Sequence, residues 1–257
     1  MRGEICIGTA SFLSFVALLL CIFMHVGQIN TSTVPRGISM AKLNVSGYGN
    51  ALYAALGDPV QGLYADNASA PLAAEAGLRN LYEYGLYSYC VYVELPQGTC
   101  SNSSAATRFE PFSAMTSDMI GNWSFITEGL IPSNIGFRNS GSLGSLSNSA
   151  YYLLILGSIC AALAFFLGIA KRTVTFLASS LFAIIGSLFL LVGAAIWTAI
   201  VHRAASINDL VVGSSSAPTP LGINVSIGNG IYLAWAAFAC LFVSILPYMT
   251  SCCTYRG

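Results

Sequence analysis

The chain has 257 residues, of which 55% are hydrophobic and only 8% charged, and its formal net charge is zero. A soluble domain carries about 25% charged residues, so this composition excludes an ordinary soluble fold and places the chain in a membrane. No basic run is present to meet phosphates, and nucleic acid is excluded as a partner on that ground.

In chain order, residues 1–4 precede a first apolar run over 5–26. A spanning helix needs about 20 residues at about 1.5 Å rise, which this run supplies. A cleaved signal peptide has a core of about 7–15 residues followed by a small-x-small site. Here Arg2 is a thin basic flank, and His25 and Gln28 stand where the cleavage site belongs, so a retained anchor is expected.

Residues 27–150 form a large polar segment. Ile38 to Val45 reads as a short strand after the Pro35-Arg36-Gly37 turn. Ser69 and Pro71 predict a helix running to about Glu83, with Pro at its first position. From Tyr87 to Glu94 the residues alternate. Tyr87, Tyr89, Val91 and Val93 take one face, and Ser88, Cys90, Tyr92 and Glu94 the other, which is the period of a strand. Pro96-Gln97-Gly98 reads as a turn, and Cys100 starts the return. Phe109, Phe112, Met115 and Met119 have helical spacing. The Gly- and Ser-rich stretch 138–150 reads as a linker.

A second span is predicted over 151–170, followed by a tight turn at 171–173. The third, over 174–202, is longer than a bilayer requires, so tilt or projection is expected. A small loop, 203–230, contains Gly222 to Ile227, which alternates as another strand able to join the sheet of the large segment. The fourth span is 231–249, with Pro247 near its end, and residues 250–257 form a tail. A soluble helical bundle would need charged outer faces on these helices, and they carry none.

Lys171-Arg172 is a short charged loop of the kind that sets orientation, so the positive-inside rule places it in the cytosol. Both termini then fall inside as well. Nine of the ten acidic residues fall outside, Glu4 being the exception. Asn30, Asn44, Asn67, Asn102, Asn122 and Asn224 each begin an Asn-x-Ser/Thr acceptor for N-glycosylation, and all six lie in the two segments expected outside. Asn30, nearest the membrane, is the weakest of them.

Topology also sorts the cysteines. Cys21, Cys160 and Cys240 lie within spans and Cys6 at the inner end of the first. Cys252 and Cys253 sit at the inner boundary of the fourth, as candidates for S-palmitoylation. That leaves Cys90 and Cys100 as two thiols in an oxidising compartment, and they are expected to form a disulfide. His25 and His202 each stand near the outer end of a span as polar caps, with a shared pH-sensitive pair as the alternative. No Ser/His/Asp grouping, metal-ligand cluster or phosphate loop is readable, so neither catalysis nor a cofactor is expected.

Within the spans, Gly157, Ala161, Ala164 and Gly168 recur at helical spacing, and Ser179, Ala183, Gly186 and Gly193 extend a similar stripe on the third. Small-residue stripes let helices approach closely. Two uses are open: packing inside the bundle, or a seam for another membrane protein.

The run Gly85-Leu86-Tyr87-Ser88-Tyr89-Cys90, followed by Cys100, resembles the claudin-superfamily signature Gly-Leu-Trp-x-x-Cys…Cys, with Tyr87 in place of the Trp. With Phe109-Glu110-Pro111 downstream, it is more closely similar to the fungal cortical-patch (eisosome) and PalI pH-response family of claudin-like proteins. The motif residues are Gly85, Leu86, Tyr87, Cys90, Cys100, Phe109 and Pro111. PalI-type members carry a long signalling tail, and this chain stops soon after its last span, which favours the cortical-patch side. The resemblance implies an α-helical membrane protein, a four-transmembrane-helix claudin-like bundle with a small extracellular β-sheet domain. It further implies a plasma-membrane protein that is not an enzyme and organises a membrane domain by lateral assembly. Membrane lipids, further copies of itself or another integral membrane protein are the expected partners. Two other roles stay open, an auxiliary subunit of a channel or polysaccharide synthase, and a PalI-like sensor component.

Overall fold

A computed structural model describes residues 2–57, 60–170, 173–213 and 218–254, with side chains over 6–57, 60–170, 174–213 and 218–249. Helix α1 (Arg2–Val26) leads into α2 (Thr33–Arg36), strand β1 (Ala41–Asn44) and α3 (Tyr48–Leu56). Strands β2 (Leu81–Tyr84), β3 (Tyr89–Glu94) and β4 (Gln97–Cys100) follow, then α4 (Pro111–Asp118) and α5 (Gly121–Leu130). The long helices α6 (Ser140–Ile169) and α7 (Thr173–Ala204) precede the strand pair β5 (Val211–Val212) and β6 (Thr219–Pro220), strand β7 (Asn224–Ile227) and α8 (Asn229–Thr254). Two compact units result: a helical bundle of Met1–His25, Ser149–Ile196 and Gly230–Gly257, and a sheet domain of Val26–Asn148 and Trp197–Asn229.

The bundle exists because hydrocarbon offers no partner for backbone N–H and C=O groups, which a helix satisfies within itself. Among the described residues, four stretches are long and apolar enough to cross a membrane: Cys6–Val26, Ser140–Ile169, Val174–Ile207 and Asn229–Met249. Gly157, Gly186 and Gly193 lie against neighbouring helices. A Cβ added there would stand 2.8 Å from Leu190 Cγ, Cys160 Cβ and Leu154 Cδ2 respectively. One added at Gly168 would stand 2.7 Å from Tyr248 Cε1. Ala161, Ala164, Ser179 and Ala183 are fully buried. Large apolar side chains such as Phe12, Phe166, Leu177 and Leu246 face outward instead.

The sheet domain is built on five antiparallel strands in the order β4-β3-β2-β1-β7. Strand β7, from the small loop, pairs with β1 from the large one, in a register running from Ala41 opposite Ile227 to Asn44 opposite Asn224. The outer edge of β7 is blunted by a side chain: Asn208 Nδ2 donates to the Val225 carbonyl at 2.9 Å, and the Val225 N–H donates to Asn208 Oδ1 at 2.7 Å. An edge strand closed this way cannot recruit another strand there.

Two expectations fail. The helix predicted from Pro71 to Glu83 is absent; the segment runs through turns into β2. The cause is Arg79. Its fully buried guanidinium gathers the carbonyls of Ala70, Pro71 and Gly77 around a folded-back segment in which Ala73 and Glu75 stand at φ +54 and +53, outside the right-handed helical region. Gly77, at φ +105, sits where a Cβ would come within 2.8 Å of the Tyr64 carbonyl carbon. The second failure is the linker at 138–150. Helix α6 begins at Ser140, capped by Asn139, whose side-chain oxygen accepts from Ser142 N at 3.1 Å. Leu143, Ser147 and Ala150 are fully buried, and this burial outweighs the poor helix propensity of Gly and Ser.

Candidate functional site

Gly85-Leu86-Tyr87-Ser88 forms the connection between β2 and β3, closed by a hydrogen bond from Gly85 N to the Ser88 carbonyl at 2.8 Å. The segment at Gly27 and Gln28 presses onto it. A Cβ on residue 85 would stand 2.9 Å from Gln28 Cβ and closer still to the Gly27 carbonyl. Glycine is required there by crowding. Leu86 is fully buried, and its carbonyl accepts from Thr107 N at 3.2 Å, which draws in the downstream part of the motif. Phe109 is buried edge-on to Tyr84, with centroids 4.9 Å apart, and its ring centroid is 5.8 Å from that of Trp197. Pro111 opens α4 at the first helical position.

Cys90 and Cys100 stand directly opposite across the β3–β4 hairpin and are joined by a disulfide. The crosslink closes a short loop and is worth about 2–3 kcal/mol in the chain-entropy model.

Beside this turn the domain buries a set of polar groups that sequence reading passed over. On one face Glu83 accepts from Gln28 Nε2 at 2.8 Å and pairs with Lys42 at 2.7 Å. On the other, Arg79 pairs with Asp118 at 3.3 Å, while Asp118 also accepts from Tyr82 Oη at 2.8 Å and from Ala73 N at 2.7 Å. Arg79, Glu83 and Asp118 are all buried. In a chain with so few charges, an Arg inside an apolar run and a Glu between two tyrosines at strand period were the available signals. These groups shape the tyrosines around them. Burial, reinforced by Asp118, pushes the Tyr82 hydroxyl well above its usual 10. Burial, reinforced by Glu83, pushes Tyr92 up to about 12. Among the described residues no cluster of three or more His, Cys, Asp or Glu could hold a metal ion.

All six sequon asparagines are exposed. Asn30, Asn44 and Asn67 each accept a bond from the backbone N–H of the serine two positions on. Asn102 lies in the loop after the disulfide, Asn122 in the first turn of α5, and Asn224 at the start of β7. His25 bonds Ser158 Oγ at 2.9 Å within the bundle. The Lys171-Arg172 turn lies outside the described residues, as do the side chains of Cys252 and Cys253.

A bundle of four apolar helices, with a small antiparallel sheet, a disulfide across its terminal hairpin and a Gly-Leu-aromatic turn, defines a claudin-like multi-pass membrane protein. Comparison with protein families makes the assignment specific. The model of the SUR7/PalI family matches residues 6–246, and the chain belongs to that family. A comparison with curated proteins returned no match.

Proposed function

We propose that this protein organises a plasma-membrane domain by lateral assembly, with both termini in the cytosol and the sheet domain outside, glycosylated on some of its six sequons. The observation that supports this reading is where the ionisable groups are spent. Arg79, Glu83 and Asp118 are consumed by partners inside the sheet domain. The four apolar stretches carry no Asp, Glu or Lys, and their Arg203 lies near one end of α7. Intramembrane charges mark transport routes and proton relays; among the described residues the interior of the bundle carries one such group, His25, and it is held by Ser158 near one end of α1. What it offers is shape: close-packed helices inside and apolar side chains outside, available to lipids and to neighbouring membrane proteins. Cys252 and Cys253 are the candidates for acylation that would hold the inner end in such a domain.

The test is imaging of a C-terminally tagged chain at native level, paired with crosslinking and mass spectrometry in mild detergent. Static patches with crosslinks between copies support the organiser. A stoichiometric channel or synthase partner in place of self-crosslinks converts the reading to an auxiliary subunit, and a signalling complex converts it to a PalI-like sensor component. A freely diffusing monomer without patches overturns it. Labelling of the C-terminal tag on intact cells overturns the orientation.

A further inference from the structure

The β1–β7 ladder ends on a pair of asparagines. Asn44 and Asn224 stand directly opposite one another, and each begins the same tripeptide, Asn-Val-Ser. Both asparagines are exposed, while Val45 and Val225 are buried, so the two acceptor side chains share the outer face. Gly228 N donates to the Met40 carbonyl at 2.9 Å. Stepping two residues at a time from that bond makes Lys42/Ser226 and Asn44/Asn224 hydrogen-bonded pairs, with Cα atoms about 5.5 Å apart. Just past the pair the two chains press together. A Cβ on Gly47 would stand 3.1 Å from Gly222 Cα, and Gly222, at φ +74, occupies a backbone region that favours glycine. The Asn44 side-chain oxygen accepts from Ser46 Oγ at 2.7 Å and from Ser46 N at 3.0 Å. These bonds are compatible with a sugar on Nδ2, because a glycosylated amide keeps its carbonyl.

We propose that Asn44 and Asn224 form one shared N-glycosylation position, in which either asparagine carries a glycan and the folded protein never carries both. The proposal rests on the reading that both loops lie outside. In the transfer step, Asn Nδ2 attacks the anomeric carbon of a lipid-diphosphate oligosaccharide. The new C–N bond forms, the C–O bond to the diphosphate breaks, Nδ2 loses a proton and the lipid diphosphate leaves. An N-acetylglucosamine ring with its acetamido group is broader than the spacing of the pair, so a second glycan would force β7 off β1. The order of synthesis decides which residue is used. Asn44 reaches the transfer enzyme before β7 has been made, so it takes the glycan in most chains. Once paired, it denies Asn224 the space.

The experiment expresses the full chain in a eukaryotic host and releases N-glycans enzymatically in heavy-oxygen water, so that each formerly occupied asparagine is marked as a labelled aspartate for mass spectrometry. Asn44 is expected to be marked in most chains and Asn224 in few. Asn44→Gln should raise Asn224 occupancy several-fold. Each single variant, Asn44→Gln or Asn224→Gln, should migrate with the parent on a gel, and the double variant should lose one glycan. Chains with both asparagines occupied overturn the proposal, as does an Asn224 that stays bare in Asn44→Gln. So does a pair never used while any of Asn30, Asn67, Asn102 or Asn122 is glycosylated. A protein with no glycan at any of the six sequons overturns the outside placement itself, which separates the two failures.

Discussion

The bundle and the sheet domain solve the same problem, burying polar atoms, in opposite ways. In the bundle several buried serines turn back on their own helices: Ser179 donates to the Thr175 carbonyl at 2.9 Å, Ser187 to Ile184 at 2.8 Å and Ser244 to Leu241 at 2.6 Å. Bonds between helices include His25 with Ser158 and Tyr248 with the Ala164 carbonyl. In the sheet domain the buried bonds span long stretches of chain, Gln28 to Glu83 and Tyr82 to Asp118 among them. The difference follows from the solvent. Lipid tails are as apolar as leucine and give helices no hydrophobic reason to associate, so fit between small residues must supply the contact energy. The sheet domain buries side chains away from water and gains by that burial, but each charge it takes along must be paired. One unit is specified by shape, the other by polar pairing, and they should fail differently.

The largest effect is expected where a buried charge loses its partner. Asp118→Ala leaves Arg79 inside the sheet domain without its carboxylate, a loss of about 3–5 kcal/mol. Thermal unfolding of the purified protein should show it. Glu110→Ala, which breaks a pair between half-buried Glu110 and exposed Arg108, should cost under about 1 kcal/mol. If the two variants melt alike, polar pairing does not govern this unit.

Next comes the crosslink. Cys90→Ser or Cys100→Ser should cost about 2–3 kcal/mol and hold the protein in the secretory pathway, read as loss of surface labelling. Free thiols at both positions in the mature protein would remove the basis of this expectation.

The bundle is tested by volume. Gly157→Leu should cost about 1–3 kcal/mol through overpacking against Leu190 and lower the amount of protein. Gly8→Leu, where nothing stands within 4 Å of the added Cβ, should change stability by no more than about 0.5 kcal/mol. Equal abundance of the two variants would show that shape does not specify the bundle.

A further contrast is alkaline. Tyr48 and Tyr92 are each pushed up to about 12, chiefly by burial. A group whose folded pKa is raised contributes stability below its unfolded pKa and loses it as pH rises through the folded value. Melting temperatures should therefore hold flat near neutrality and fall from about pH 10 toward 12. Tyr92→Phe should weaken that fall, and an unchanged alkaline slope would show that Tyr92 does not contribute to it.

Much of this was legible in the sequence, in proportion to how local each feature is. A run of apolar residues is a helix in lipid whatever its neighbours do, because the backbone has no other partner, so the spans could be read from composition alone. The strand expected over Tyr87–Glu94 showed in its alternation and is found at Tyr89–Glu94, its first two residues belonging to the turn, and the Cys90–Cys100 pair followed once topology had set the other thiols apart. The segment before β2 was misread because Pro71 does suit the start of a helix; what overrides it is a guanidinium from Arg79 seeking carbonyls. The Gly/Ser stretch before the second span was misread because its helix depends on burying Leu143 and Ser147, a fact about its surroundings.

Residue type and short spacing are enough to read the four apolar spans and the strand-forming alternation, and the topology those spans imply is enough to pair Cys90 with Cys100. That Arg79 finds Asp118, that Glu83 lies between Gln28 and Lys42, and that Asn44 faces Asn224 from the other loop is visible in the folded chain alone. Such pairs depend on which distant segments meet, and they form only after the loops between them have closed and the entropy of closure has been offset by burial.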